Sequence, residues 1–115
     1  MNKTFNDYQK FTCRTKIYPP EEGIPYNIFG LAGETGEICE KVKKLIRDKK
    51  KKLTKENLSK EERLDLAKEI GDILWYCSTL ADELGYELEE VVKINIKKLT
   101  SRKKRNKLKG SGDNR

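Results

Sequence analysis

Residues 59–85 read SKEERLDLAKEIGDILWYCSTLADELG, and this stretch decides the fold. Ile70, Ile73, Leu74, Cys77, Leu80, Ala81 and Leu84 return at three- and four-residue intervals, the signature of one buried helical face. Ser59 followed by Glu62 matches a capping box, which sets the start. Gly85 supplies the stop after about Leu84. Beside the apolar stripe runs a second one of Asp65, Glu69, Asp72, Tyr76 and Glu83. Trp75 projects away from these carboxylates and is expected in the core or at a subunit interface. Glu69 and Asp72 are three apart, hence neighbours on the helix surface, where like charges destabilise. Solvent or a cation must offset their repulsion.

Working outward, three more helices are expected and no stretch alternates like a β-strand, so the fold class is all-α, a four-helix bundle. One helix covers about Lys3 to Thr15, with Phe5, Tyr8 and Phe11 at helical spacing for core packing. Pro19-Pro20 and Gly23 then break the chain, so Tyr18–Pro25 reads as an extended loop. The next helix runs from about Tyr26 to Asp48, with Leu31, Ile38, Val42 and Leu45 on one stripe. Gly30, Gly33 and Gly36 inside it each cost about 1 kcal/mol relative to Ala, which suits close approach of another backbone or a ligand. Lys49–Lys52 is expected to be a mobile linker. The last helix covers about Leu88 to Arg105, with Val91, Val92, Ile94, Ile96 and Leu99 apolar. Residues 1–106 thus make a single domain, and 107–115 a flexible or ligand-proximal tail.

Composition narrows the function. With 35% hydrophobic and 39% charged residues, the chain has no run near the roughly 20 apolar residues of a membrane span. Met1–Lys10 has no apolar signal-peptide core, so a cytoplasmic location is expected. Cys13, Cys39 and Cys77 are odd in number and widely spaced, and histidine is absent. That argues against a zinc site or a disulfide framework. The net charge of +7 is concentrated in Lys41–Lys55 and Lys93–Lys109, while acids dominate Glu56–Glu90. Such blocks fit nucleic acid, a phosphate-rich ligand or a solvated surface.

The second helix repeats the acidic device with Glu34 and Glu37, again three apart. Two readings are open. The acids are solvated or lysine-paired, Lys41 standing one turn beyond Glu37. Alternatively, two helices face their acid pairs across a groove and offer oxygen ligands to a hard cation. Without an imidazole, such a site suits Mg²⁺, with Mn²⁺ possible.

The residues Gly33-Glu34-Thr35-Gly36-Glu37 and Glu69-Ile70-Gly71-Asp72 stand in the pattern Glu-x-x-Glu, spacer, Glu-x-x-Asp. With Gly30-Leu31-Ala32, Lys43-Lys44, Arg47-Asp48 and the downstream Asn95, Lys98 and Arg102, the chain resembles the MazG-like all-α nucleoside triphosphate pyrophosphohydrolases. The likeness covers about Tyr8 to Arg102 and is to small, phage- or bacterial-type members. The spacer is slightly long for the family, because of the lysine-rich insertion around Lys49–Lys55. The resemblance implies cleavage of a nucleoside triphosphate to a monophosphate and pyrophosphate. It implies Mg²⁺ on Glu34, Glu37, Glu69 and Asp72, one of which, or Glu40, takes a proton from water. It points Asn95, Lys98 and Arg102 at phosphates, in a homodimer or dimer of dimers. Lys44 is a further candidate for phosphate contact, and Tyr76, on the carboxylate face of its helix, for contact with the ligand. Two rivals stand beside it: a basic helical nucleic-acid-binding protein and a catalytically idle MazG-like interaction protein. The aligned acids count against nucleic acid, since carboxylates repel a phosphate backbone.

Overall fold

The computed structural model describes residues 4–115, so Lys3, the expected first residue of the first helix, lies outside them. Four α-helices follow in order: α1 (Phe5–Arg14), α2 (Gly23–Lys49), α3 (Lys60–Glu83) and α4 (Leu88–Lys104), with one 3₁₀ turn at Pro20–Glu22. The described residues contain no strand, and none of the helices is long and apolar enough to cross a membrane.

The starts follow side-chain chemistry. Thr4 Oγ1 accepts from the Asp7 N–H at 3.1 Å and caps α1. The Ser59–Glu62 box closes in both directions, at 2.8 and 3.0 Å. At the start of α4 the Glu87 N–H donates to Glu90 Oε1 at 2.9 Å. Gly85 ends α3 at φ +82°, with the Tyr86 N–H donating to the Ala81 carbonyl.

One expectation is corrected. The extended loop over Tyr18–Pro25 is shorter, because Pro20 opens a 3₁₀ turn and Pro25 already lies in the first turn of α2. A first-turn proline loses only an N–H that has no intrahelical partner. Two of the four lysines in the Lys49–Lys52 run are ion-paired. Glu62 draws in Lys49 at 3.2 Å and Lys51 at 3.4 Å, and Lys51 also donates to the Asn57 carbonyl at 2.9 Å.

Glu62 therefore carries a pH signature. The Ser59 N–H, then Lys49 and Lys51, lower its pKa to about 2 from an ordinary 4.5. A carboxyl depressed in the folded state stabilises above its unfolded pKa, and that contribution fades as pH falls through the folded one. Glu62→Gln keeps a capping-box side chain and removes the charge. Its melting temperature should lie below wild type above pH about 4.5, and the gap should close as pH approaches about 2. A gap unchanged down to pH 2 would show that the charge contributes nothing.

Polar pairs, rather than the expected apolar stripes, fill the tightest contacts. Thr12 of α1 and Ser78 of α3 share a hydroxyl hydrogen bond of 2.8 Å. Thr79 of α3 donates to Asn27 Oδ1 of α2 at 2.7 Å, and Asn27 Nδ2 to the Gly23 carbonyl at 2.6 Å. All four residues are fully buried. Gln9 joins α1 to α4 by accepting the Leu88 N–H at 2.9 Å. A Cβ at Gly23 would overlap the Glu83 carboxylate, so glycine lets the start of α2 close on α3.

Within the expected core stripe of α3, Ala81 is buried, but Ile70, Leu74 and Leu84 are exposed. Phe5, Phe11, Val91, Ile94, Ile96 and Leu99 are exposed too, and so is Phe29, at 74%. The cause is an apolar perimeter wider than one chain covers. The radius of gyration, 17.2 Å, exceeds the roughly 13 Å of a compact chain of about this size. Among the described residues, α2 packs on α3, and α4 touches α1 and α3 but not α2.

Candidate metal centre and adjoining groove

Cross-links between α2 and α3 set their register. Asn27 meets Thr79, Lys41 meets Asp65 and Glu69, and Lys49 meets Glu62. Rising numbers on α2 meet falling numbers on α3, so the pair is antiparallel. This register brings Glu34 level with Glu69 and Asp72.

The ligand oxygens of Glu34, Glu69 and Asp72 lie within 4.8 Å of one another. Burial, then a hydrogen bond shared with the Glu69 carboxyl, then the Asp72 charge raise the Glu34 pKa. The Glu69 pKa is lowered, first by Lys41 and then by Glu34. Glu69 Oε1 takes the Lys41 ammonium at 2.8 Å, whereas Glu69 Oε2 is buried without a hydrogen-bond donor. A buried carboxylate oxygen is costly to leave unpaired. An orphaned oxygen among three converging carboxyls, with no nitrogen or sulfur donor, fits a hard divalent ion.

Beside the acids opens a groove of about 340 Å³. Glu34 and Asp72 contribute its acidic wall, and Tyr26, Trp75 and Tyr76 its aromatic one. Thr15 and Ile17 line it from the segment after α1. Trp75 Nε1 donates to Thr15 Oγ1 at 2.7 Å. The Trp75 and Tyr76 rings meet edge to face at 5.1 Å, and Tyr18 stacks on Tyr26 at 4.9 Å. Tyr76 sits against Gly30, where a Cβ would overlap its ring, so this glycine makes room for the groove wall. At Gly33 and Gly36 an added Cβ would meet nothing within the chain.

The other expected site residues are spread more widely. Glu37 is exposed and stands outside the three-acid cluster. Lys41 pairs with Asp65 and Glu69 instead of Glu37, because α3 comes within its reach. Glu40 pairs with Lys43 at 2.9 Å on the solvated face. Lys44 lies in a shallow hollow with Lys41, Glu62 and Asp65. Tyr76 is in the groove. Asn95 is exposed on α4. Lys98 and Arg102 line a separate basic hollow closed by the tail. There Arg102 is buried and donates to the carbonyls of Gly112 and Asp113, at 3.3 and 2.7 Å.

Trp75 corrects the sequence reading, for it faces the acidic groove rather than turning away from it. The signal was available: Trp75 follows Asp72 by three, the spacing that makes Glu69 and Asp72 neighbours. Thr15 and Ile17 carried no such signal, because no periodicity places a loop residue.

A helical hairpin that gathers three carboxyls beside an aromatic groove defines a class of all-α proteins with a candidate cation cluster at the edge of a groove. Within that class, this chain belongs to the MazG nucleotide pyrophosphohydrolase domain family, whose profile matches residues 26–106. It is similar to Gene 37 protein of Mycobacterium phage L5, 46% identical over 114 residues, spanning 94% of this chain and 96% of that protein. It is also similar to the protein YvdC of Bacillus subtilis (strain 168), 33% identical over 72 residues, 63% of this chain and 68% of that one. No solved structure matches at a significant level.

Proposed function

We propose that this protein is a cytoplasmic, Mg²⁺-dependent nucleoside triphosphate pyrophosphohydrolase that releases a nucleoside monophosphate and pyrophosphate. The observation that carries the reading is the meeting of Glu34, Glu69 and Asp72 beside a groove walled by Trp75 and Tyr76. Glu34, Glu69 and Asp72 are the residues that would hold the ion, with Glu37, one turn from Glu34, available to a second one. A divalent ion there supplies positive charge against the polyphosphate, which in-line attack by water requires.

The chain's own groups do the rest. Trp75, fixed by Thr15, and Tyr76 offer ring faces to a nucleobase, a sequence-tolerant contact. Burying the exposed apolar faces of α2, α3 and α4 calls for a homo-oligomer. In such an assembly Asn95 and Lys98 approach the phosphates from a neighbouring protomer, since neither lines the groove of its own chain, while Arg102 is engaged by the Gly112 and Asp113 carbonyls.

The test is a panel of ribo- and deoxyribonucleoside triphosphates with Mg²⁺, Mn²⁺ or excess EDTA, read as pyrophosphate release. Turnover with either ion and none with EDTA is the expected result. Turnover that persists in EDTA contradicts the metal reading. Complete inactivity towards every triphosphate, with salt-sensitive binding to duplex DNA, returns the chain to the nucleic-acid reading.

A further inference from the structure

One contact between α2 and α3 lies outside the acid motif yet reaches into it. The Lys41 ammonium bridges Asp65 Oδ1 at 2.9 Å and Glu69 Oε1 at 2.8 Å. Lys41 follows Glu34 by seven residues and Asp65 precedes Glu69 by four, so each shares its partner's helical face. The two oxygens of Glu69 are thereby put to different uses. One is held by Lys41, and the other is buried and takes no hydrogen bond. A glutamate side chain has several rotamers of similar energy. The ion pair selects one, and the side chain is only 13% exposed in it.

We propose that Lys41, braced by Asp65, is a positioning residue of the metal centre, fixing one Glu69 oxygen so that the other is presented to the ion alongside Glu34 and Asp72. The inference rests on the metal reading of these acids. Lys41 touches neither ion nor substrate, and acts through Glu69. The competing role for a lysine here is a counter-ion that the metal displaces, and the two roles differ in sign. Removing a displaced counter-ion tightens metal binding, because a nearby cation is lost. Removing the support of a ligating carboxylate weakens it, typically by 10–100-fold.

The measurement is calorimetric titration of Mn²⁺ into the full chain without nucleotide. Lys41→Met should lower the affinity by about 10–100-fold. Asp65→Asn should act in the same direction by less, and Lys41→Arg, which keeps a cationic donor, should recover most of the loss. Circular dichroism should show all three folded, since the Lys41 and Asp65 side chains are 31% and 54% exposed. Lys41→Met binding Mn²⁺ as tightly as wild type, or more tightly, overturns the proposal and leaves the metal site standing. Wild type taking up no Mn²⁺ overturns the metal reading, and the proposal with it.

Discussion

Asp72→Asn should reduce pyrophosphate release by about a thousandfold or more while leaving the fold intact. The size follows from charge. A ligated divalent ion is worth several kcal/mol to a reaction that builds negative charge on phosphoryl oxygens, and each 1.36 kcal/mol is tenfold in rate. Asparagine has almost the volume of aspartate, but it brings a neutral oxygen in place of a charged one. The Asp72 side chain is exposed, so its replacement removes no core packing. It also removes repulsion from the cluster, and the metal-free variant should melt no lower than wild type. Activity lost with thermal stability kept or raised identifies a functional acid. Turnover retained within a few-fold would exclude Asp72 from the centre.

How far this site could be read from the chain depended on the kind of feature. Where the pattern is local and periodic, the residues declared themselves. The Ser59–Glu62 box, the Gly85 stop and the paired acids on α2 and α3 all follow from spacing along one helix. The register that joins Glu34 to Glu69 and Asp72 is a tertiary fact, reached only through the resemblance of the whole motif to a family. Lys41 shows the limit well. Its neighbour along α2 is Glu37, and intrahelical spacing pairs the two, but α3 supplies Asp65 and Glu69 at closer range. The core was misjudged for a related reason. Hydrophobic periodicity marks which face wants burial, not which surface buries it. Ile70 and Leu74 are apolar by pattern yet stand exposed in one chain. The residues that fasten the helices, Thr12, Asn27, Ser78 and Thr79, are polar, and hydropathy gives no hint of them.

The exposed faces lead to the second large effect, a rescue. A chain carrying Asp72→Asn and a chain carrying Asn95→Ala with Lys98→Ala should each be weak alone and recover turnover when assembled together. On the proposed reading the double variant removes two phosphate contacts, and two charge-assisted hydrogen bonds of about 1.5–3 kcal/mol each put its loss at about 100–10,000-fold. In the single chain, α4 has no contact with α2, and neither Asn95 nor Lys98 lines the acidic groove. With closed two-fold symmetry, each site takes its acids from one protomer and its α4 from the other. A mixed dimer then has one doubly defective site and one wholly intact site, and the intact one works. If α4 served the acids of its own chain, every site would carry one defect and mixing would restore nothing. Co-expression with two affinity tags isolates the mixed species, and light scattering reports its size. A mixed assembly no more active than its parents would place the phosphate contacts within one protomer, and a particle of one-chain mass would remove the partner altogether. Phe29→Asp sharpens the comparison, because a charge placed on this 74%-exposed aromatic blocks apolar association without disturbing packing within the chain. It should yield a single-chain particle that has lost turnover although its three clustered carboxyls are intact.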